Sequence, residues 1–176
     1  MTRSAQSPRS GPPFPYRRER LASYHAVETF DCGDAAIDKF LHDDALAEQQ
    51  AGLSSVTVAL DTADGTVVGY YTLSPVSIRL DEGVLRTLGL AAATYPMAGG
   101  YLFGRLGVTK SYAGQGIGSA LVAIALDDAA DATQHTGGVF LAVDPKDDGL
   151  VQWYEKLGFA RLDPKRRRAV RRLEIP

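Results

Sequence analysis

An apolar strand that runs into a glycine-rich turn and then into an amphipathic helix most limits how this chain can fold. Residues 101–109 (YLFGRLGVT) are largely apolar, glycines follow at Gly114, Gly116 and Gly118, and a helical stripe begins at Ile117. Glycine adopts positive φ and lets the backbone approach a ligand closely. The first amides of a helix lack intrahelical acceptors and lie at the positive end of its dipole. The segment predicts a strand–turn–helix unit whose turn either binds a diphosphate or is purely structural.

Two common phosphate-binding motifs do not fit this turn. A P-loop needs Lys followed by Ser or Thr after its last glycine, and here Gly118 is followed directly by Ser119 and Ala120. The dinucleotide fingerprint needs two residues between its second and third glycines, whereas only Ile117 separates Gly116 from Gly118. The spacing therefore excludes both motifs and leaves the class of ligand open.

The rest of the chain alternates between helical and strand patterns. Apolar residues recur at helical spacing over residues 34–50, which predicts a helix there. Asp34 can cap its amino end. The other predicted elements are strands over 54–60, 66–73 and 76–80, a helix over 114–132, a strand over 138–143, a helix over 147–157, and final strands after 158 and over 170–175. A strand run followed by strand–helix alternation predicts a mixed, mostly antiparallel sheet flanked by helices, of class α/β or α+β.

Length and composition favour one folded domain over residues 16–176. The chain has 176 residues, 45% of them hydrophobic, and no apolar run long enough to cross a membrane. Residues 1–15 are rich in Ser, Pro and Gly without periodicity, which predicts a disordered arm. Cys32 is the one cysteine, so we expect neither an internal disulfide nor a cysteine-built zinc site. We expect a cytoplasmic protein.

The formal net charge of −2 conceals a basic–acidic–basic distribution. Residues 1–20 hold five Arg against one Glu, residues 21–154 hold six Lys or Arg against 17 Asp or Glu, and residues 155–176 hold eight against three. Basic clusters attract phosphate backbones, although they also serve as solvated tails. We expect the segment 161–172 to contact the phosphates of a substrate, through Lys165, Arg166, Arg167, Arg168, Arg171 and Arg172.

The glycine turn resembles the pyrophosphate-binding turn of the GNAT acetyltransferase superfamily, R/Q-x-x-G-x-G/A. Residues 113–118 (AGQGIG) align with that pattern with both glycines in place, but Ala113 stands where the family has Arg or Gln. Gln115 fits the first position only in a shifted register that places the glycines less well. The resemblance implies that acetyl-CoA binds this turn, mainly through backbone amides, and it predicts as binding residues Ala113, Gly114, Gln115, Gly116, Ile117, Gly118 and Ser119.

A second segment resembles the GNAT-type toxins of toxin–antitoxin systems. Residues 30–41 (FDCGDAAIDKFL) are similar to the F-x-C-G-(x)3-L-D-x-F-L opening of those toxins, and residues 68–74, 104–108 and 153–159 fall where the subfamily has similar segments. The resemblance spans roughly residues 25–160. It implies a GNAT fold and an N-acetyltransferase that acts on the α-amine of aminoacyl-tRNA. It also implies an antitoxin partner and a homodimer.

The residues that would carry this chemistry follow from the same resemblance. Tyr154 matches a tyrosine that commonly acts as general acid in the family, although its spacing from Leu150 and Leu157 also fits one buried helical face. The amides of Leu106, Gly107 and Val108 would bind the pantetheine arm and polarise the thioester carbonyl.

Other polar residues give weaker signals. The strand over 101–109 contains no carboxylate or histidine to act as base, which suits an amine already acidified by a neighbouring ester. Arg105 would face a substrate phosphate or pair with the acidic body, and the sequence does not distinguish the two. The histidines are scattered, so no metal site is predicted.

Two other functions remain open from the sequence. One is a GNAT enzyme that acetylates a small amine or a protein amino group. The other is a non-catalytic module that binds acyl-CoA or nucleic acid, for which Ala113 at the motif's first position is the one hint.

Overall fold

The computed structural model describes residues 15–91 and 95–174. The predicted arm, apart from Pro15, lies outside the described residues, as do residues 92–94 and 175–176. Within the described part, the strands are β1 (Arg17–Arg20), β2 (Ser55–Leu60), β3 (Val67–Arg79), β4 (Met97–Val108), β5 (Phe140–Val143), β6 (Ala160–Arg161) and β7 (Ala169–Arg172). The helices are α1 (Ala35–Lys39), α2 (Ala45–Gln50), α3 (Glu82–Thr87), α4 (Ile117–Thr136) and α5 (Asp148–Lys156).

The described strands form one sheet in the order β1-β2-β3-β4-β5-β7-β6. All neighbouring pairs are antiparallel except β4 and β5, which are parallel. The prediction of a mixed, mostly antiparallel sheet flanked by helices is therefore confirmed. Helix α4 makes the crossover between the two parallel strands, as a parallel pair requires.

Most predicted elements are present, and several have different bounds. The first helix runs continuously from Ala35 to Gln50, but its middle, Phe40–Asp44, is π-helical. The strands predicted over 66–73 and 76–80 are one strand, because Pro75 does not interrupt the pairing of β3 with β4. The predictions missed β1 and α3. Strand β1 is dominated by arginines, which carry no apolar alternation, and it lies at the sheet edge against β2.

The core lies on both faces of the sheet, because neighbouring strand residues point in opposite directions. Tyr71 is fully buried beneath α4 and α5, together with Phe103, Leu121 and Leu141. Its neighbour Tyr70 is fully buried on the other face with residues of α1 and α2 such as Phe40 and Leu41. These packed faces hold β4 between two helical layers. No helix in the described residues is long and apolar enough to span a membrane.

Gly100 of β4 lies so close to Phe140 of β5 that a side chain would not fit between them. A Cβ at this position would lie 2.5 Å from the carbonyl oxygen of Phe140 and 2.7 Å from its ring. We expect Gly100→Ala to lower the free energy of unfolding by about 3 kcal/mol, because two paired strands would have to separate. Chemical denaturation measures this loss. Gly99→Ala is the matched control, since its Cβ would meet nothing within 4 Å. Equal stability of the two variants would contradict the prediction.

Candidate active site

Strands β4 and β5 pair over three residues and then diverge. Tyr101–Phe103 of β4 pair with Leu141–Val143 of β5, whereas in the described residues Gly104–Val108 have no strand partner on that side. The divergence opens a cleft of about 450 Å³. Residues from β4, from the loop before α1, from the β5–α5 loop and from α5 line it, including Cys32, Asp34, Ile37, Arg105, Leu106, Val108, Asp144, Lys146, Asp147, Leu150 and Tyr154.

The open edge of β4 presents backbone amides to this cleft. The amide of Thr109 donates to the carbonyl of Val68 in β3 at 2.9 Å, and hydrogen-bond direction alternates along a strand. The amides of Leu106 and Val108 therefore point away from β3 and into the cleft. The amide of Gly107 points the other way, toward β3, although Gly107 also lines the cleft, so its predicted contact with a bound cofactor stays a prediction. Its lack of a side chain lets α1 approach, since a Cβ would lie 2.9 Å from Ile37.

The glycine turn has the conformation that an anion-binding turn requires. Gly114 and Gly116 have φ of 75° and 78°, and a Cβ at either position would meet nothing within 4 Å. Gly116 caps α4 without a side-chain hydrogen bond, and the first bond of the helix runs from Ala120 to Gly116. The amides of Ile117, Gly118 and Ser119 thus have no intrahelical acceptors.

A second cavity of about 290 Å³ lies over the turn. Its lining includes Ala113, Gly114, Gly116 to Ser119, Tyr112 and Trp153, and it shares Val108 with the cleft. Gln115 is exposed and does not line it. The amide of Ala113 donates a hydrogen bond to the carbonyl of Lys110 at 3.1 Å. The open space above the glycines therefore continues from the β4 edge to the start of α4.

Tyr154 belongs both to the core and to the cleft. The side chain is 7% exposed and its ring packs edge-on against Phe103, Trp153 and Phe159. Its hydroxyl has no hydrogen-bond partner within residues 15–91 and 95–174, and the residue lines the cleft. Burial raises the pKa of the hydroxyl well above its usual value of about 10. Tyr154 therefore stays protonated at neutral pH and can donate a proton to a group in the cleft.

The loop at residues 30–34 is bound to the start of the glycine turn. The amide of Lys110 donates to the carbonyl of Asp31 at 2.8 Å, and its Nζ donates to the Asp31 carboxylate at 2.9 Å. The next residues of the loop face the cleft. Burial, together with the Asp38 carboxylate, raises the pKa of Cys32 to about 11, so the thiol stays protonated and is a poor nucleophile.

Sequence patterns missed the three carboxylates that line the cleft. Asp34 caps α1 and forms an ion pair with Lys146 across the cleft, Asp144 pairs with Arg168, and Asp147 caps α5 through the amide of Leu150 at 2.8 Å. Asp34 comes from a loop far in sequence from the one that holds Asp144 and Asp147, so no motif groups all three. Each is already engaged, which makes none of them an unoccupied base. The described residues contain no group of three or more His, Cys, Asp or Glu placed to hold a metal ion.

The structure divides the predicted basic segment into two parts. Arg171 donates to the carbonyl of Leu157 at 2.6 Å, and Arg172 donates to the carbonyls of Leu88 and Gly89 at 2.9 and 2.8 Å. These two arginines cap the ends of α5 and α3 and do not line the cleft, so their predicted contact with phosphates stays a prediction.

The remaining basic residues lie around the cleft entrance. Arg167 pairs with Asp148, and Arg168 pairs with Asp144. Lys165 and Arg166 have no side-chain partner among the residues that the structure describes. Together with Lys146 and Arg161 they line a basic cavity of about 710 Å³, which shares Pro145 and Lys146 with the cleft.

A comparison with protein families identifies the class of protein to which this fold and this site belong. The model of the acetyltransferase (GNAT) family matches residues 17–159 of the chain. The chain therefore belongs to the GNAT acetyltransferase family, and the predicted family is confirmed.

Solved structures similar to this chain include those of AtaT and KacT. AtaT complexed with acetyl-methionyl-tRNAfMet has a TM-score of 0.79 at 22% identity, covering 89% of this chain and 94% of that one. A tyrosine-to-phenylalanine mutant of KacT has a TM-score of 0.79 at 23% identity, covering 90% and 95%. A mutant AtaT toxin bound to acetyl-CoA and the C-terminus of its antitoxin AtaR has a TM-score of 0.74 at 21% identity, covering 90% and 94%. At these identities the likeness supports a shared fold.

Proposed function

We propose that this protein transfers an acetyl group from acetyl-CoA to the α-amine of aminoacyl-tRNA. The observation that carries the proposal is the open edge of β4, which lies between the glycine turn and the hydroxyl of Tyr154. Acetyl-CoA would supply a thioester there. The free amides of Ile117, Gly118 and Ser119 suit its diphosphate, and those of Leu106 and Val108 suit its pantetheine arm and carbonyl oxygen.

The chain's own groups can support the transfer without a carboxylate base. The neutral α-amine forms the new C–N bond, the C–S bond breaks, and Tyr154 donates its proton to the departing sulfur. Solvent takes the amine's proton and restores that of Tyr154. An aminoacyl ester lowers the pKa of its own amine, which agrees with the engagement of Asp34, Asp144 and Asp147 in other contacts.

The nucleic-acid part of the substrate is supported by charge at the cleft entrance. The basic cavity adjoins the cleft, and Arg105 lines the cleft without an ion pair to a carboxylate in the described part of the chain. The similarity to AtaT, whose structure contains acetyl-methionyl-tRNAfMet, points to the same substrate class. Under this proposal the protein acts in the cytoplasm and has an antitoxin partner, as AtaT has AtaR.

The test is acetylation of charged tRNAs. The full chain is incubated with acetyl-CoA and a mixture of aminoacyl-tRNAs, and the released amino acids are analysed by mass spectrometry. We expect an N-acetylated aminoacyl group on at least one tRNA. Acetylation of polyamines or peptides alone would instead support a small-amine or protein acetyltransferase. Binding of acetyl-CoA without any transfer would support a non-catalytic module.

Neutralising Lys165 and Arg166 together should weaken tRNA binding. Each phosphate contact that is lost reduces the magnitude of the negative slope of log K against log salt by about 0.9. We therefore expect that magnitude to decrease by about 1–2. Filter binding at several salt concentrations measures it. Neutralising Arg79 and Arg86 is the charge-matched control, since these residues line neither the cleft nor the basic cavity. An unchanged slope in the Lys165 and Arg166 variant would remove the basic cavity from the proposed interface.

A further inference from the structure

Strand β4 is irregular, because two of its residues that should share one face of the sheet lie on opposite faces. Phe103 is buried beneath α4 and α5, while Arg105 stacks on Phe40, on the face that α1 and α2 cover. Gly107 lies on that second face as well, against Phe30 and Ile37. Positions i and i+2 of a regular strand share one face. Phe103 and Arg105 can therefore lie on opposite faces only if the strand is irregular between them.

The irregularity is a β-bulge opposite Thr72. Tyr71 pairs with Leu106 and Leu73 pairs with Phe103, so two residues of β4, Gly104 and Arg105, face one residue of β3. Such an extra residue is left out of the regular ladder and reverses the facing of everything after it. The bulge thus decides which face of the sheet Arg105 reaches.

The side chain of Thr72 supplies a hydrogen-bond acceptor for a backbone amide of the bulge. Thr72 is 2% exposed, and its Oγ1 accepts a hydrogen bond from the amide of Arg105 at 3.0 Å. A Cβ on Gly104 would lie 3.0 Å from the same oxygen, so a glycine lets the hydroxyl come this close. Without that oxygen the amide of Arg105 would be left without its acceptor in the middle of the sheet.

The bulge puts the Arg105 guanidinium at the cleft. Its central carbon lies 3.6 Å from the centre of the Phe40 ring, at the start of the π-helical segment. Arg105 lines the cleft and makes no ion pair with any carboxylate that the structure describes, although residues 21–154 are strongly acidic. A cation held in this way is available to an anionic group of the acceptor.

We propose that Thr72 is a positioning residue, whose hydroxyl holds the Gly104–Arg105 bulge so that Arg105 can bind a phosphate at the aminoacylated end of the acceptor RNA. The role of Arg105 toward RNA rests on the proposed function. The role of Thr72 in the bulge rests on the geometry of β3 and β4 alone. The two parts can therefore be tested separately.

The experiment compares Thr72→Val, Thr72→Ser, Arg105→Ala and the double variant Thr72→Val with Arg105→Ala in the full chain. Loss of one buried acceptor corresponds to about tenfold in an equilibrium constant, so we expect Thr72→Val to raise KM for the aminoacyl-tRNA by about tenfold. Thr72→Ser, which keeps the hydroxyl, should stay within about twofold of wild type. The double variant should be no worse than Arg105→Ala alone, because both changes remove one interaction.

Amide hydrogen exchange over residues 103–108 gives a second readout that needs no activity. We expect faster exchange in Thr72→Val and wild-type exchange in Thr72→Ser. Equal exchange in all three proteins, or additive effects of Thr72→Val and Arg105→Ala on KM, would overturn the role of Thr72. If the wild-type protein acetylates no charged tRNA, the proposed function fails, and the exchange measurement still decides the role of Thr72.

Discussion

Tyr154→Phe should lower kcat for acetyl transfer by about 10²-fold or more while the protein stays folded and binds acetyl-CoA normally. The change removes the hydroxyl that has no protein partner in the described residues and leaves the ring to pack against Phe103, Trp153 and Phe159. Because no described hydrogen bond is lost, Tm should stay within about 2 °C. Quenched-flow or steady-state kinetics measures kcat, and titration calorimetry measures acetyl-CoA binding.

The raised pKa of Tyr154 makes the prediction sharper. Burial favours the neutral hydroxyl, so its proton is present below the raised pKa and is lost only above it. The wild-type rate should therefore show no fall from Tyr154 ionisation between pH 7 and about pH 9. Tyr101→Phe is the matched control, since it removes a tyrosine hydroxyl on β4 that bonds Thr136 and Gly137 and does not line the cleft. Near-normal turnover of Tyr154→Phe would exclude Tyr154 as the proton donor.

Gly116→Val should weaken acetyl-CoA binding by about 10²-fold, which corresponds to about 2.7 kcal/mol. Two effects combine at this position. A β-branched residue at φ 78° is strained, and its side chain would fill the open space above the turn where the diphosphate is proposed to lie. The amides at the start of α4 would then be screened from the ligand. Titration calorimetry with acetyl-CoA measures the dissociation constant.

A glycine of the same conformation separates strain from lost binding. Gly65 has φ 77° and, like Gly116, would place a Cβ in open space, but it lies in the turn between β2 and β3 and lines neither cavity. Gly65→Val should therefore carry a similar conformational cost with wild-type affinity for acetyl-CoA. Equal affinity of Gly65→Val and Gly116→Val would show that the glycine turn does not hold the diphosphate.

The local parts of the site could be read from the sequence because local physics determines them. Only glycine adopts the positive φ of residues 114 and 116 without strain, so their spacing between a strand and a helix was informative. Asp34 caps α1 as predicted, with its carboxylate accepting from the amides of Ala36 and Ile37. The place of Tyr154 on a buried helical face followed from its spacing. The ring is indeed packed in the core. The same spacing could not predict that the residue also lines a cleft.

The missed elements and the division of the basic segment depend on partners far away in sequence. Strand β1 is stabilised by its pairing with β2, about 40 residues later in the chain, and its arginines carry no apolar period. Arg171 and Arg172 looked like Lys165 and Arg166 in the sequence. Only the folded chain shows that the first two cap the carbonyls at Leu157 and Leu88. A basic run does not reveal which of its members already have an acceptor.

The sequence by itself determined the conformation of the glycine turn, the capped start of the first helix and the chemical family, because these depend on residues that are neighbours along the chain. The tertiary structure alone decided three other properties: which β4 amides face the cleft, where Arg105 lies, and which arginines remain available. The bulge in β4 governs the first two, since it reverses the facing of the strand beyond it. The third depends on which arginines donate to carbonyls at the ends of helices. At the bulge, Thr72 of β3 accepts a hydrogen bond from the amide of Arg105 in β4, a residue some 30 positions later in the chain.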